Sequence, residues 1–164
     1  MALKPDRNIV RDDISFYCFE AKERGYVAFA MTGVAQGPGL DSNTHRITFA
    51  PSTPSGAKPV GILAHDFASI DLTRQVPNRY KMEHPLGDKA LIYTEGFITT
   101  NAIGPNQASG TLTYPIKAYA GTSGLLYSDA NLGTISGWVS VGYFETARDL
   151  DGYARVFIDL PNTL

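Results

Sequence analysis

The 164-residue chain is long enough for one domain of ordinary size and too short for two large ones. With 43% apolar and 18% charged residues it holds material for a sizeable core, which excludes a mainly disordered chain. Lys plus Arg at 14 against Asp plus Glu at 16 gives a formal charge of −2 without any block of like charge, so the basic face that a nucleic acid or an anionic membrane demands is missing.

The opening segment, residues 1–13, is polar, contains Pro5 and offers only Leu3, Ile9 and Val10 for burial. It reads as an extended N-terminal arm ahead of a single β domain, residues 14–164. Next, ISFYCF (Ile14 to Phe19) and GYVAFAM (Gly25 to Met31) are dense in aromatic and β-branched residues and flank the polar EAKERG, which reads as a hairpin connection. The alternative for Asp12 to Gly25 is a short helix capped by Asp12 or Asp13. The glycine-rich GVAQGPGLDSNT then leads to HRITFA, a strand with Ile47 and Phe49 on one face and Arg46 and Thr48 on the other.

After the proline-rich loop PSTPSGAKP, VGILAHDFASIDL (Val60 to Leu72) is predicted extended, although Ala64, Phe67 and Ile70 also suit a helix. TRQVPNRYKMEHPLGD, Thr73 to Asp88, is a long polar connection of the kind that covers another surface or carries function. KALIYTEGFITTNAI reads as two strand segments bent at Gly96, and YPIKAYA, GLLYS, SGWVSVGYF and YARVFIDL complete the pattern at regular spacing. No segment carries apolar residues at helical spacing across three turns with caps at both ends. The fold class is therefore all-β, a small β-sandwich or partly open barrel with an extended N-terminal arm.

Residues that carry chemistry elsewhere are sparse. His45, His65 and His84 are far apart in sequence from one another and from Cys18, without the local pairs of a zinc site, so no metal and no cofactor is expected. His65 and Asp66 are neighbours, but on a strand adjacent side chains point to opposite faces, and no nucleophile elbow accompanies them. Cys18, the only cysteine, forms no disulfide within the chain and sits in an apolar strand, which suits packing better than reactivity. Arg148-Asp149-Leu150-Asp151-Gly152 resembles a fragment of a calcium loop but lacks the later ligands; a hairpin turn with positive φ at Asp151-Gly152 is expected instead. No stretch approaches about 18 apolar residues and the start lacks the apolar run of a signal peptide, so the expectation is a soluble chain not exported by that route.

Four stretches in common order, VGILAHDFASIDLTRQ, LGDKALIYTEGFITTNAI, IKAYAGTSGLLYS and VGYFETARDLDGYARVFIDLP, resemble the head decoration or capsid cement proteins of tailed bacteriophages, including cyanophages. The resemblance covers roughly residues 12 to 161, and its most specific part is the closing pattern from A-Y-A-G-x-x-G-L-L-Y through V-G-Y-F to D-x-D-G-Y-A-R-V-x-I-D-L. YKMEHP in the long connection departs from it, which puts the contacted surface there in doubt. The family implies a β-rich structural virion protein without catalytic residues. It would be made in the host cytoplasm, bind the major capsid protein on the outer surface of the shell, and cement neighbouring capsomers. It implies a homo-oligomer, trimer favoured over dimer, with no nucleic-acid or membrane partner.

The expected contact residues are Leu3, Lys4, Arg7, Ile9, Val10 and Arg11 of the arm, mobile in the free protein and ordered by strand addition on docking. Arg74, Arg79 and Lys81 of the long connection are the alternative contact. On that reading, removal of residues 1 to 11 leaves the β domain folded. A carbohydrate-binding module using exposed aromatics and, less favoured, a small β-sandwich hydrolase are the competing functions.

Overall fold

One strand belongs to two sheets, and the fold is arranged around it. The computed structural model describes residues 3, 8–31, 46–51, 57–65, 70–71, 76–77, 86–105, 114–128 and 137–160. Within them the strands are β1 (Asn8–Cys18), β2 (Val27–Ala30), β3 (Arg46–Thr48), β4 (Lys58–Leu63), β5 (Ile70–Asp71), β6 (Val76–Pro77), β7 (Lys89–Thr100), β8 (Ile116–Ala120), β9 (Leu126–Ser128), β10 (Ser140–Phe144) and β11 (Ala154–Asp159). The chain is all-β, as its sequence implies.

Five strands close on themselves in the order β1-β3-β2-β4-β7 and back to β1. All pairs are antiparallel except β1 with β3. From β7 a second sheet runs outward as β7-β11-β10-β8-β9. Along one edge β7 pairs first with β4, at Ile92 and Tyr93, and then with β11, from Glu95 to Thr100. The change of partner falls next to Gly96, the residue where the sequence suggests a bend. Its φ is +137°, and a Cβ there would meet the Asn8 carbonyl oxygen of β1 at 2.4 Å, so glycine is needed for the approach of the two strands.

Two apolar clusters follow from this architecture. Phe16, Cys18, Ala28, Ile47, Phe49, Leu63, Ala90 and Ile92 fill the barrel. The larger cluster, including Val27, Phe29, Ile62, Tyr93, Ile98, Leu126, Phe144 and Val156, lies between the barrel wall and the second sheet. β2 and β4 thus bury both faces, which explains why VAFA and GILA read as continuous apolar runs; β11, with one buried face, alternates as ARVFID.

Two expectations are corrected here. The segments of the first proposed hairpin are not partners, because β3 lies between β1 and β2. The connection EAKERG instead reaches the end of β3, where the Glu20 carboxylate accepts hydrogen bonds from Thr48 Oγ1 at 2.7 Å and from the backbone N–H groups of Phe49 and Ala50. Asp12 and Asp13 lie in β1 rather than capping a helix.

The N-terminal arm is the second correction. Residues 8–13 are the first half of β1, paired with β7 from Asn8↔Phe97 to Asp13↔Ile92. Leu3 bridges Thr100 and is 1% exposed within the larger cluster, and Ile9 packs against the same cluster. Too few apolar groups to fold alone are enough to join a core that already exists. Leu3→Ala is therefore expected to lower stability by about 2 to 4 kcal/mol in denaturant melts, and removal of residues 1 to 11 to destabilise the domain rather than leave its melting temperature unchanged.

Glu20 supplies a pH-dependent prediction. Burial works to raise its pKa, but the bonds from Thr48, Phe49 and Ala50, with Lys22 nearby, outweigh burial and hold the carboxyl below its ordinary value. A lowered folded-state pKa gives stability that is present above the unfolded value and lost as pH falls through the folded one. Glu20→Gln should cost about 1 kcal/mol at neutral pH, allowing for solvent screening. Melts across pH should show the difference from the parent chain shrinking below about pH 4.

Candidate functional site

The first strand breaks the alternation that a half-buried strand would keep. Its register against β7 slips between Ile9 and Arg11, between Arg11 and Asp12, and between Asp13 and Phe16. In the first slip Val10 is the extra residue opposite a single step of β7. In the third, three steps of β1 face two of β7, and Ile14 lies within the slip. A bulge re-aims side chains, and here it turns two large aliphatics outward: Val10 is 66% exposed and Ile14 64%. The third slip, at Ile14, has a local cause in the sequence, since Asp13 Oδ1 accepts bonds from Ser15 N at 2.7 Å and Ser15 Oγ at 2.6 Å.

Two more large apolar residues, Phe19 and Leu86, are exposed beyond the end of β1. Phe19 is exposed beneath the Arg46 guanidinium, which lies 5.7 Å from the ring centroid. Leu86 is exposed and precedes Gly87, whose N–H donates to the Cys18 carbonyl at the end of β1. Next to the first bulge a shallow cleft of about 370 Å³ is lined by Ile9, Val10, Arg11, Asp12, Leu91 and Tyr93. Such a surface offers apolar contact together with charges of both signs. Among the described residues that line the cleft, the charged side chains are Arg11 and Asp12.

Of the residues singled out from sequence, Val10 stands on this surface and Ile9 and Arg11 line the cleft, whereas Leu3 is a core residue and is withdrawn as a contact. Lys4, Arg7, Arg74, Arg79 and Lys81 lie outside the described residues, as do His45, His84 and Asp66. The exposure of Ile14, Phe19 and Leu86 is not legible in the sequence, because each falls in a segment whose composition reads as strand core or as loop. His65 is half-buried, and among the described residues no three His, Cys, Asp or Glu side chains are grouped to hold a metal. Cys18 is 2% exposed inside the barrel; burial, with Asp88 and Glu20 adding, pushes its thiol up to about 12, so it is not a thiolate at neutral pH.

The closing motifs have packing reasons. In A-Y-A-G-x-x-G-L-L-Y, a Cβ on Gly121 would come within 2.5 Å of the rings of Trp138 and Tyr127, which meet edge to face with centroids 4.8 Å apart. In D-x-D-G-Y, Asp149 N donates to the Tyr153 carbonyl and Gly152 N to that of Asp149. The Asp149 carboxylate accepts from the N–H groups of Asp151 and Tyr153. The turn is a hairpin as expected, but only Gly152 has positive φ, at +84°, so one residue rather than two adopts the left-handed conformation.

No protein-family model matches the chain, and no curated protein matches it at a significant level. No helix among the described residues is long and apolar enough to cross a membrane. Gly152→Val is expected to destabilise by about 1 to 3 kcal/mol through strain at positive φ, with Gly152→Asn milder; thermal melting of the two variants checks the turn.

Proposed function

We propose that the protein is a structural decoration protein of a tailed-phage head. It binds the outer surface of the assembled shell through the ridge of β1 and cements neighbouring subunits of the major capsid protein. The observation that carries this reading is the pair of bulges that hold Val10 and Ile14 in solvent on a strand fixed at its other edge to β7. A bulge re-aims a side chain, and two of them on one strand each turn a large aliphatic into solvent, where a partner's apolar surface gains by covering it. The closing motifs that resemble the decoration family support the same reading, as does a net charge of −2, which gives no reason to seek the genome.

The role needs no turnover and no cofactor. Each copy supplies a modest apolar contact, and strength comes from repetition over the shell: once one member of an oligomer docks, its neighbours bind at high effective concentration. On this reading the protein is made in the host cytoplasm and resides on the outside of the virion. Contact by a rigid ridge replaces the mobile arm, because residues 8–13 are already ordered in the sheet.

Co-sedimentation with expanded heads that lack the protein tests the proposal. Val10→Asp and Ile14→Asp, both at exposed positions, should leave the melting temperature nearly unchanged and weaken attachment to heads about tenfold or more. Undiminished binding by both folded variants would remove the ridge from the contact, and no binding of the parent chain to any head preparation would remove the function.

A further inference from the structure

The outer face of the second sheet carries a pattern separate from the β1 ridge. Cross-strand register puts Asn8, Phe97, Phe157, Tyr143 and Lys117 in one row across β1, β7, β11, β10 and β8. The three aromatic rings are in contact, Phe97 to Phe157 at 4.8 Å and Tyr143 to Phe157 at 5.1 Å between centroids, and all three are half-buried. Their inner neighbours Ile98, Val156, Ile158 and Phe144 already fill the core, so these rings are additional apolar surface that the fold does not need.

Charges flank the row with opposite signs on β11. On one side Arg155 lies over Phe97, 4.7 Å from the ring centroid, and pairs with Glu145 at 2.9 Å. On the other side Asp159 stands in register with Glu95. We infer that this face binds a second copy of the chain, sheet against sheet, about a two-fold axis running along the aromatic row.

The charge pattern selects that axis. Rotation about the row brings Arg155 of one protomer opposite Asp159 of the other, twice, and stacks Phe157 on its own copy at the centre. Rotation about the strand direction instead sets Arg155 against Arg155 and Asp159 against Asp159. Aligned sheets cross at about 30°, which swings the ends of the row apart and carries Lys117 away from its copy. A patch that meets itself generates a closed pair and not a ring of three, so the face specifies a dimer, against the trimer that the family resemblance favours. A glycan fits less well: Arg155 covers the Phe97 face that a sugar would stack on, and two of the three rings carry no polar group.

The inference does not depend on the shell, and its test uses the purified full-length chain alone. Sedimentation equilibrium should give twice the chain mass. Asp159→Arg, which leaves the Arg155–Glu145 pair in place, should raise the dissociation constant about tenfold or more, and Arg155→Asp combined with Asp159→Arg should recover most of the loss. Phe157→Ser, a smaller change at a half-exposed site, should also weaken the dimer, with circular dichroism confirming the fold. A monomer, a trimer, a dimer indifferent to all of these variants, or a monomer that binds polysaccharide through Phe157 would each overturn it.

Discussion

The constraint on which the structure depends is that β7 must serve three neighbours. Its one edge is divided between β4 and β11 while the other runs along β1 from Lys89 to Phe97. A 12-residue strand does this only if its two faces carry apolar groups for different cores, and KALIYTEGFITT meets that need. Ala90 and Ile92 face the barrel, whereas Tyr93 and Ile98 face the second sheet's core. Gly96 admits β1 at the crossover, so barrel and second sheet share a wall, with the barrel's own cluster on one side of it and the larger cluster on the other.

From that arrangement comes the character of the surface. β1 is held along β7, but pairs with β3 only at Tyr17 and Cys18, and its slips in register are what free Val10 and Ile14 from the pleat. A strand anchored on one side and irregular along its length can present side chains rigidly without burying them. That suits a contact whose ordering cost has been met in folding, and it differs from an arm that would lose backbone entropy of about 1 kcal/mol or more per residue at the moment of docking. The aromatic row on the second sheet is regular by comparison, and its regularity favours a symmetric partner.

Much of this was legible in the chain. The closing strands follow from alternation in IKAYA and ARVFID with turns between them, and the Asp149 to Tyr153 hairpin follows from Asp-Gly chemistry. The neighbours of β1 were not legible: ISFYC and VAFA look like hairpin partners because their separation is short, and only the non-local insertion of RIT between them decides otherwise. Nor does Leu3 announce its burial, since a lone leucine near Pro5 shows no period. Val10 reads as a contact from its place in an arm, and the structure shows it exposed for a different reason, the bulge. Ile14 reads as strand interior because two-residue periodicity assumes an unbroken register, and Asp13 with Ser15 is the local hint of a break.

Amide hydrogen exchange, compared between the free protein and the protein bound to expanded heads, tests most directly that the ridge of a pre-ordered β1 is the proposed contact. In the free protein, Asp12 to Phe16 should already be protected well above a random chain, and on docking the peptides spanning Asn8 to Phe19 should gain protection while those of β10 and β11 stay as they were. Free exchange at random-chain rates in β1, or a gain confined to other parts of the chain, would contradict the account.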